Sequence, residues 1–117
     1  MMLFDTSIII EMLRKNIYKP GAISIISLIE ILRGVAKQKR EAVKEVLENA
    51  FEIIAIDNDI ILTYCDLYNH LKDKGELLSD ADLLIAASAI AKRQKLITKD
   101  TDFRRLKKYG LSLSYEL

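Results

Sequence analysis

The sequence predicts an α/β fold: a small parallel β-sheet of about four or five strands, flanked by helices on both faces. Three observations lead there. Short apolar runs that read as strands alternate with helical patterns along the whole chain, and strands spaced that way pair in parallel through right-handed crossovers. The 117 residues fit one core, and the single proline, Pro20, comes with no Gly/Ser/Pro-rich linker, so residues 1–117 are expected to form one domain. Acidic residues recur just past the expected strands, and the strand C-termini of a parallel sheet share one edge, where ligands of open α/β sheets bind.

Met2 to Phe4 is a short apolar run ending at Asp5, and reads as a buried strand. Ser7 to Lys15 carries Ile9, Ile10 and Leu13 at helical spacing, with Thr6 or Ser7 as the expected cap. Pro20-Gly21 marks a turn, and Ala22 to Ile25 reads as a second strand. A mostly buried helix follows through Leu28, Ile29, Ile31, Leu32 and Val35, closing at Gly34 or soon after. Lys39 to Ala50 is amphipathic, with Val43, Val46, Leu47 and Ala50 on one face. Glu52 to Ile56 reads as a strand, and Asp57, Asn58 or Asp59 can cap the helix after it. That helix is expected to bury Ile61, Tyr64, Cys65, Tyr68 and Leu71, ending at Gly75. Ser79 to Arg93 is apolar almost all round, as a central helix would be. Leu96 to Thr98 reads as a strand, Asp102 to Lys108 as two helical turns, and Leu111 to Tyr115 as a last strand.

Half the residues are apolar and 30% are charged, a globular composition. No run approaches the ~18 apolar residues of a membrane span, and the early acids Asp5 and Glu11 argue against a signal peptide. A single cysteine, Cys65, cannot form an internal disulfide, which suits a reducing, cytoplasmic setting. The net charge of +1 excludes a uniformly basic nucleic-acid binder. Yet Lys92, Arg93, Lys95, Lys99, Arg104, Arg105, Lys107 and Lys108 fall within one short stretch that holds only Asp100 and Asp102 as acids. Such a stretch can attract phosphates, or simply form a solvated helix face.

Asp5, Glu30, Asp82 and Asp100 each follow an expected strand or open a helix at the strand-end edge. Each also has a purely local reading. Asp5 and Asp100 could cap the helices after them, and Ser27-x-x-Glu30 and Ser79-x-x-Asp82 fit the capping-box pattern. The joint placement carries more weight than any one member. Glu30 is the sharpest, set between Ile29 and Ile31, because a carboxylate within an apolar run is usually paired or metal-bound. Two carboxylates ~5 Å apart repel by ~3 kcal/mol at an effective dielectric of ~20. Four such groups call for a cation, and all-oxygen ligation favours Mg²⁺ or Mn²⁺ over zinc. No His/Cys cluster competes, since His70 stands alone. Carboxylate-held metals can activate water against a phosphodiester, so metal-dependent hydrolysis of nucleic acid is the expected chemistry, with the basic stretch holding phosphates.

FDTS (4–7), SLIEILRG (27–34), DADLLIAASA (80–89) and LITKDTDF (96–103), in this order and spacing, resemble a PIN-domain ribonuclease of the VapC toxin type. The likeness runs from Leu3 to about Tyr115. It implies that Asp5, Glu30, Asp82 and Asp100 form a metal-binding catalytic cluster. It also implies that Asp102 is an accessory acid, and that the hydroxyls of Ser7 and Thr98 support the acids. Asp82, which directly precedes LLIAA, is the match rather than Asp80. The resemblance implies cleavage of RNA, often tRNA or another structured RNA, dependent on Mg²⁺ or Mn²⁺. It further implies a homodimer and inhibition by a VapB-type antitoxin. One departure is Arg93-Gln94-Lys95, where many relatives carry a glycine.

Arg14, Arg33 and Lys99 lie near the acids in sequence and, like Arg104 and Arg105, could contact RNA or pair with carboxylates. The five tyrosines read as core or interface filling before base-stacking platforms. Two rival functions are open. An aspartyl-nucleophile phosphohydrolase would want an acid two residues after Asp5, where Ser7 stands. A non-catalytic RNA- or protein-binding module of the same fold would use the acids only as caps.

Overall fold

The structure, a computed structural model, describes residues 1–116. Its elements run β1 (Met2–Phe4), α1 (Thr6–Lys15), β2 (Ala22–Ser24), α2 (Ile25–Arg33), a 3₁₀ turn (Lys37–Lys39), α3 (Arg40–Ala50) and β3 (Glu52–Ile54). Then come α4 (Asn58–Asp73), α5 (Asp80–Ala91), β4 (Lys95–Ile97), a 3₁₀ helix (Thr101–Tyr109) and β5 (Leu113–Ser114). The five strands form one sheet in the order β3-β2-β1-β4-β5, every pairing parallel. The expected fold class is therefore the observed one.

Period-two alternation along the strands divides the core into two layers. Leu3, Ala22 and Leu96 face the side covered by α4, α5 and the 3₁₀ helix, packed with Leu67, Leu71, Leu83, Ile85, Phe103 and Leu106. Phe4, Ile23 and Ile97 face the other side, with Ile8, Ile9 and Met12 of α1, Leu28 and Ile31 of α2, and Leu47 of α3. Neighbouring residues of one strand thus feed opposite cores, each fully buried side chain adding about 1.5–3 kcal/mol. Gly21 is required where the chain enters β2, because a Cβ there would lie 2.5 Å from the Phe4 ring. None of the described helices is long and apolar enough to cross a membrane.

Several local expectations are corrected. Of the caps offered for α1, Asp5 fills the position and Thr6 and Ser7 do not, and Ile29 of α2 is exposed rather than buried. Ser27-x-x-Glu30 is no capping box: Ser24 caps α2 by accepting from the Ile26 amide, which leaves Ser27 inside the helix. On α4 the buried stripe is Ile60, Leu67 and Leu71, with Tyr64 partly buried, whereas Ile61 and Cys65 are exposed. The strands are shorter than read: β3 stops at Ile54, β4 at Ile97, and β5 has two residues. The two turns after Asp100 form a 3₁₀ helix that reaches Tyr109.

Candidate active site

Parallel pairing sends the C-termini of β1, β2 and β4 to one edge, and the first turns of α1, α2 and α5 stand there with the start of the 3₁₀ helix. Asp5 follows the central strand β1 and is 6% exposed. Its amide donates to the Ile97 carbonyl at 2.9 Å, which fixes its backbone to the end of β4. Its Oδ1 accepts from the Thr6 amide at 2.7 Å. Its Oδ2 accepts from the Thr98 hydroxyl at 2.7 Å and the Ser7 hydroxyl at 3.3 Å. Burial pushes the Asp5 carboxyl above its ordinary value, the bonds from Thr98, Thr6 and Ser7 work against that, and the charge of Asp100 adds to the rise.

Thr98 is fully buried and serves two acids, for its hydroxyl oxygen also accepts from the Asp100 amide at 3.0 Å. Asp100 caps the 3₁₀ helix, its Oδ1 accepting from the Asp102 amide at 2.9 Å. Asp82 lies in the first turn of α5, which Ser79 caps by accepting from the Asp82 amide at 3.2 Å. Burial raises the Asp82 carboxyl first, and the charges of Asp5, Asp100 and Glu30 raise it further, against a hydrogen bond with Ser79. Three other acids thus act on Asp82 through space. Glu30 stands in α2 with its side chain 24% exposed, its Oε1 accepting from the Thr6 hydroxyl at 2.8 Å and its Oε2 3.8 Å from Arg33.

Asp5 and Asp100 thus finish their own helices, while like charges also bear on Asp5 and Asp82. Among the described residues, no group of three His, Cys, Asp or Glu side chains stands in ready metal-binding geometry. The donor set nevertheless fits a hard divalent cation. It is all oxygen, and the like charges that raise Asp5 and Asp82 are what a cation would offset. Side-chain rotation would have to close the ring.

Asp102 is 62% exposed and pairs with Arg105 at 3.6 Å. Arg105 also donates to the Glu76 carbonyl at 2.8 Å. Arg104 donates to the Tyr115 hydroxyl at 3.2 Å. Lys99 is held by Glu11 at 2.6 Å, and that pair, with Lys15, draws the Glu11 carboxyl down to about 2. Arg14 is exposed at the end of α1. A groove of about 630 Å³ lined by Leu32, Lys37, Gln38, Arg40, Glu41 and Lys44 lies beside α2 and α3 and includes none of the four acids. Sequence reasoning missed Thr6 and Ser27 as partners of the acids. No local signal pointed to them, because Thr6 meets Ser27 and Glu30 across 21 and 24 positions of sequence.

The family model for the PIN domain matches residues 2–109. The chain belongs to the PIN-domain family. This PIN domain is 41% identical over 115 residues to Ribonuclease VapC1 of Methanocaldococcus jannaschii, covering 95% of the chain and 85% of that relative. Among solved structures, it superposes on VapBC2 from Rickettsia felis, which was solved bound to a DNA fragment from their promoter. The TM-score is 0.76 at 27% identity, covering 97% of this chain and 96% of that one. VapBC-1 from nontypeable Haemophilus influenzae shares the fold with a TM-score of 0.82 at 22% identity, with the same coverage. The acids described above lie within the matched PIN-domain span.

Proposed function

We propose that the chain is a metal-dependent endoribonuclease, the toxin component of a VapBC-type toxin–antitoxin pair. One observation carries the reading: a single buried hydroxyl, Thr98, bonds both to the Asp5 carboxylate and to the Asp100 amide, tying two acids from opposite ends of the chain. The ribonuclease named among its relatives supports it. Asp5, Glu30, Asp82 and Asp100 would hold Mg²⁺ or Mn²⁺, which supplies an activated water and offsets the charge of a phosphodiester under in-line attack. Asp102 would serve as an accessory acid.

The protein's own part is orientation. Thr98 and Ser7 hold the Asp5 carboxylate at one angle, and the Thr6 hydroxyl holds Glu30. The carboxylates by themselves repel a phosphate, so RNA would be held by basic side chains around them. Arg14 and Arg33 are candidates, and Lys99, Arg104 and Arg105 can join by exchanging their present partners for phosphate. A VapB-type antitoxin is the expected inhibitor, with a homodimer as the working form, one domain over residues 1–117, and the cytoplasm as the site of action.

The test is cleavage of a structured RNA such as tRNA by the purified chain with Mg²⁺ or Mn²⁺. Cutting that stops with EDTA and in Asp82→Asn is the expected result. RNA that shifts on a gel but stays intact under every metal condition would instead mark a binding module.

A further inference from the structure

We infer that Thr6 is a positioning residue: its hydroxyl, backed by the buried hydroxyl of Ser27, sets the angle of the Glu30 carboxylate. What Glu30 does there rests on the nuclease reading above, whereas where Glu30 stands rests on geometry alone.

Thr6 touches two acids with two different groups. Its amide donates to Asp5 Oδ1 at 2.7 Å. Its Oγ1 lies 2.8 Å from Glu30 Oε1 and 2.8 Å from Ser27 Oγ. The direction of the bonds follows from valence. An ionised carboxylate only accepts, and a hydroxyl carries one proton. Thr6 therefore donates to Glu30, and Ser27 donates to Thr6. Ser27 is fully buried within α2, where an unpartnered hydroxyl would be costly. Thr6 is the side-chain partner it has found. The two hydroxyls polarise each other in series toward the carboxylate, and the β-branched Thr6 is stiff at χ1.

Arg33 competes weakly for the same acid. It sits 3.8 Å from the other oxygen, and its side chain is 73% exposed, so solvent screens the pair. Without the Thr6 hydroxyl, Glu30 would follow its own rotamers toward Arg33 and solvent. The series Ser27–Thr6–Glu30 also joins α1 to α2, so the acid that follows β1 and the acid that follows β2 are held by one residue.

Thr6→Val keeps the branched shape and removes the hydroxyl; Thr6→Ser keeps the hydroxyl. Crystal structures without metal should show the Glu30 carboxylate displaced in Thr6→Val and in place in Thr6→Ser. Calorimetric Mn²⁺ affinity should weaken about 10-fold in Thr6→Val, with kcat for RNA falling by a similar factor and KM changing less than about 3-fold. Thr6→Ser should stay within about 3-fold of wild type in each. Glu30 unmoved in Thr6→Val overturns the inference, as does wild-type Mn²⁺ affinity per folded molecule. Should Thr6→Val not fold, Ser27→Ala takes its place, with Mn²⁺ affinity expected to weaken about 3-fold; an unchanged affinity there is equally fatal. If the wild-type protein neither binds Mn²⁺ nor cuts RNA, the nuclease reading is what has failed, and the metal-free structures alone decide where Thr6 holds Glu30.

Discussion

The two halves of the acid edge are held by different kinds of bond. On the β1–β2 side each acid has a long-range tether, which for Asp5 stands beside the local bonds from Thr6 and Ser7. Thr98 reaches Asp5 across 93 positions of sequence, and Thr6 reaches Glu30 across 24. On the α5 side the bonds are local. Asp100 accepts from an amide two residues on, Ser79 accepts from the Asp82 amide three residues on, and Asp102 meets Arg105 three residues on. A long-range hydroxyl exists only when the fold is complete, so it sets a carboxylate's direction as part of the tertiary structure. A cap sets only the end of its own helix. The first half is thus oriented by the tertiary structure, and the second half is left the freer of the two to adjust.

The sharpest break is at the centre of the pre-oriented half. Asp5→Asn keeps an oxygen for the Thr6 amide but removes the charge. RNA cleavage should fall by at least about 100-fold, beyond the roughly 10-fold loss of a supporting partner, while circular dichroism shows the fold intact. Cleavage at the wild-type rate would remove Asp5 from the chemistry. Next comes Thr98→Val, which strips both halves of their shared hydroxyl. The lost bonds to a buried carboxylate should cost about 1–3 kcal/mol in a urea melt, and cleavage should fall about 10-fold. A variant that loses stability but keeps its rate per folded molecule would make Thr98 a purely structural residue.

How much of this was legible before the structure differs in the same way. The strand ends before Asp5 and Asp100 could be read because each closes a short apolar run, and runs of that kind alternate with helices. The phase of α4 could not. Ile60, Ile61 and Leu62 are consecutive apolar residues, so two helical stripes compete, and packing against α5 and the sheet selects Ile60, Leu67 and Leu71. That leaves Ile61, Leu62 and Cys65 outside. Ser27 misled because a serine three residues before a glutamate is a cap signal, whereas Ser24 had already taken the cap one turn earlier. Thr6 was read as a cap because it is a hydroxyl residue at the start of a helical pattern. Local patterns reveal helix ends; they carry no information about which hydroxyl a distant strand or helix will meet.

A smaller effect reports the cost of the Asp82 charge in the adjustable half. The Asp82 carboxyl is raised by burial and then by three like charges. A carboxyl raised in the folded state contributes stability that is full below its unfolded pKa of about 3.9 and lost as pH rises through the folded value. At neutral pH without metal, the ionised Asp82 therefore destabilises the fold. Asp82→Asn in EDTA should melt about 2 °C above wild type at pH 7, a screened effect of about 0.5 kcal/mol. The gap should close as pH falls toward 4. Equal melting at both pH values would mean that neither burial nor the neighbouring acids penalise the Asp82 charge.

The smallest effect is expected at Asp102, and it sets the outer limit of the site. Its side chain is 62% exposed and its contacts are the cap from Asp100 and the Arg105 pair. The Asp82 carboxyl is raised by Asp5, Asp100 and Glu30, and Asp102 is not among these causes. Asp102→Asn should change stability by less than about 0.5 kcal/mol, as exposed pairs do. Its effect on cleavage should stay within about 3-fold, well below that of a supporting partner. A loss as large as that of Asp5→Asn would show that Asp102 swings inward when RNA and cation arrive. The adjustable half of the edge would then extend one helical turn further than its caps suggest.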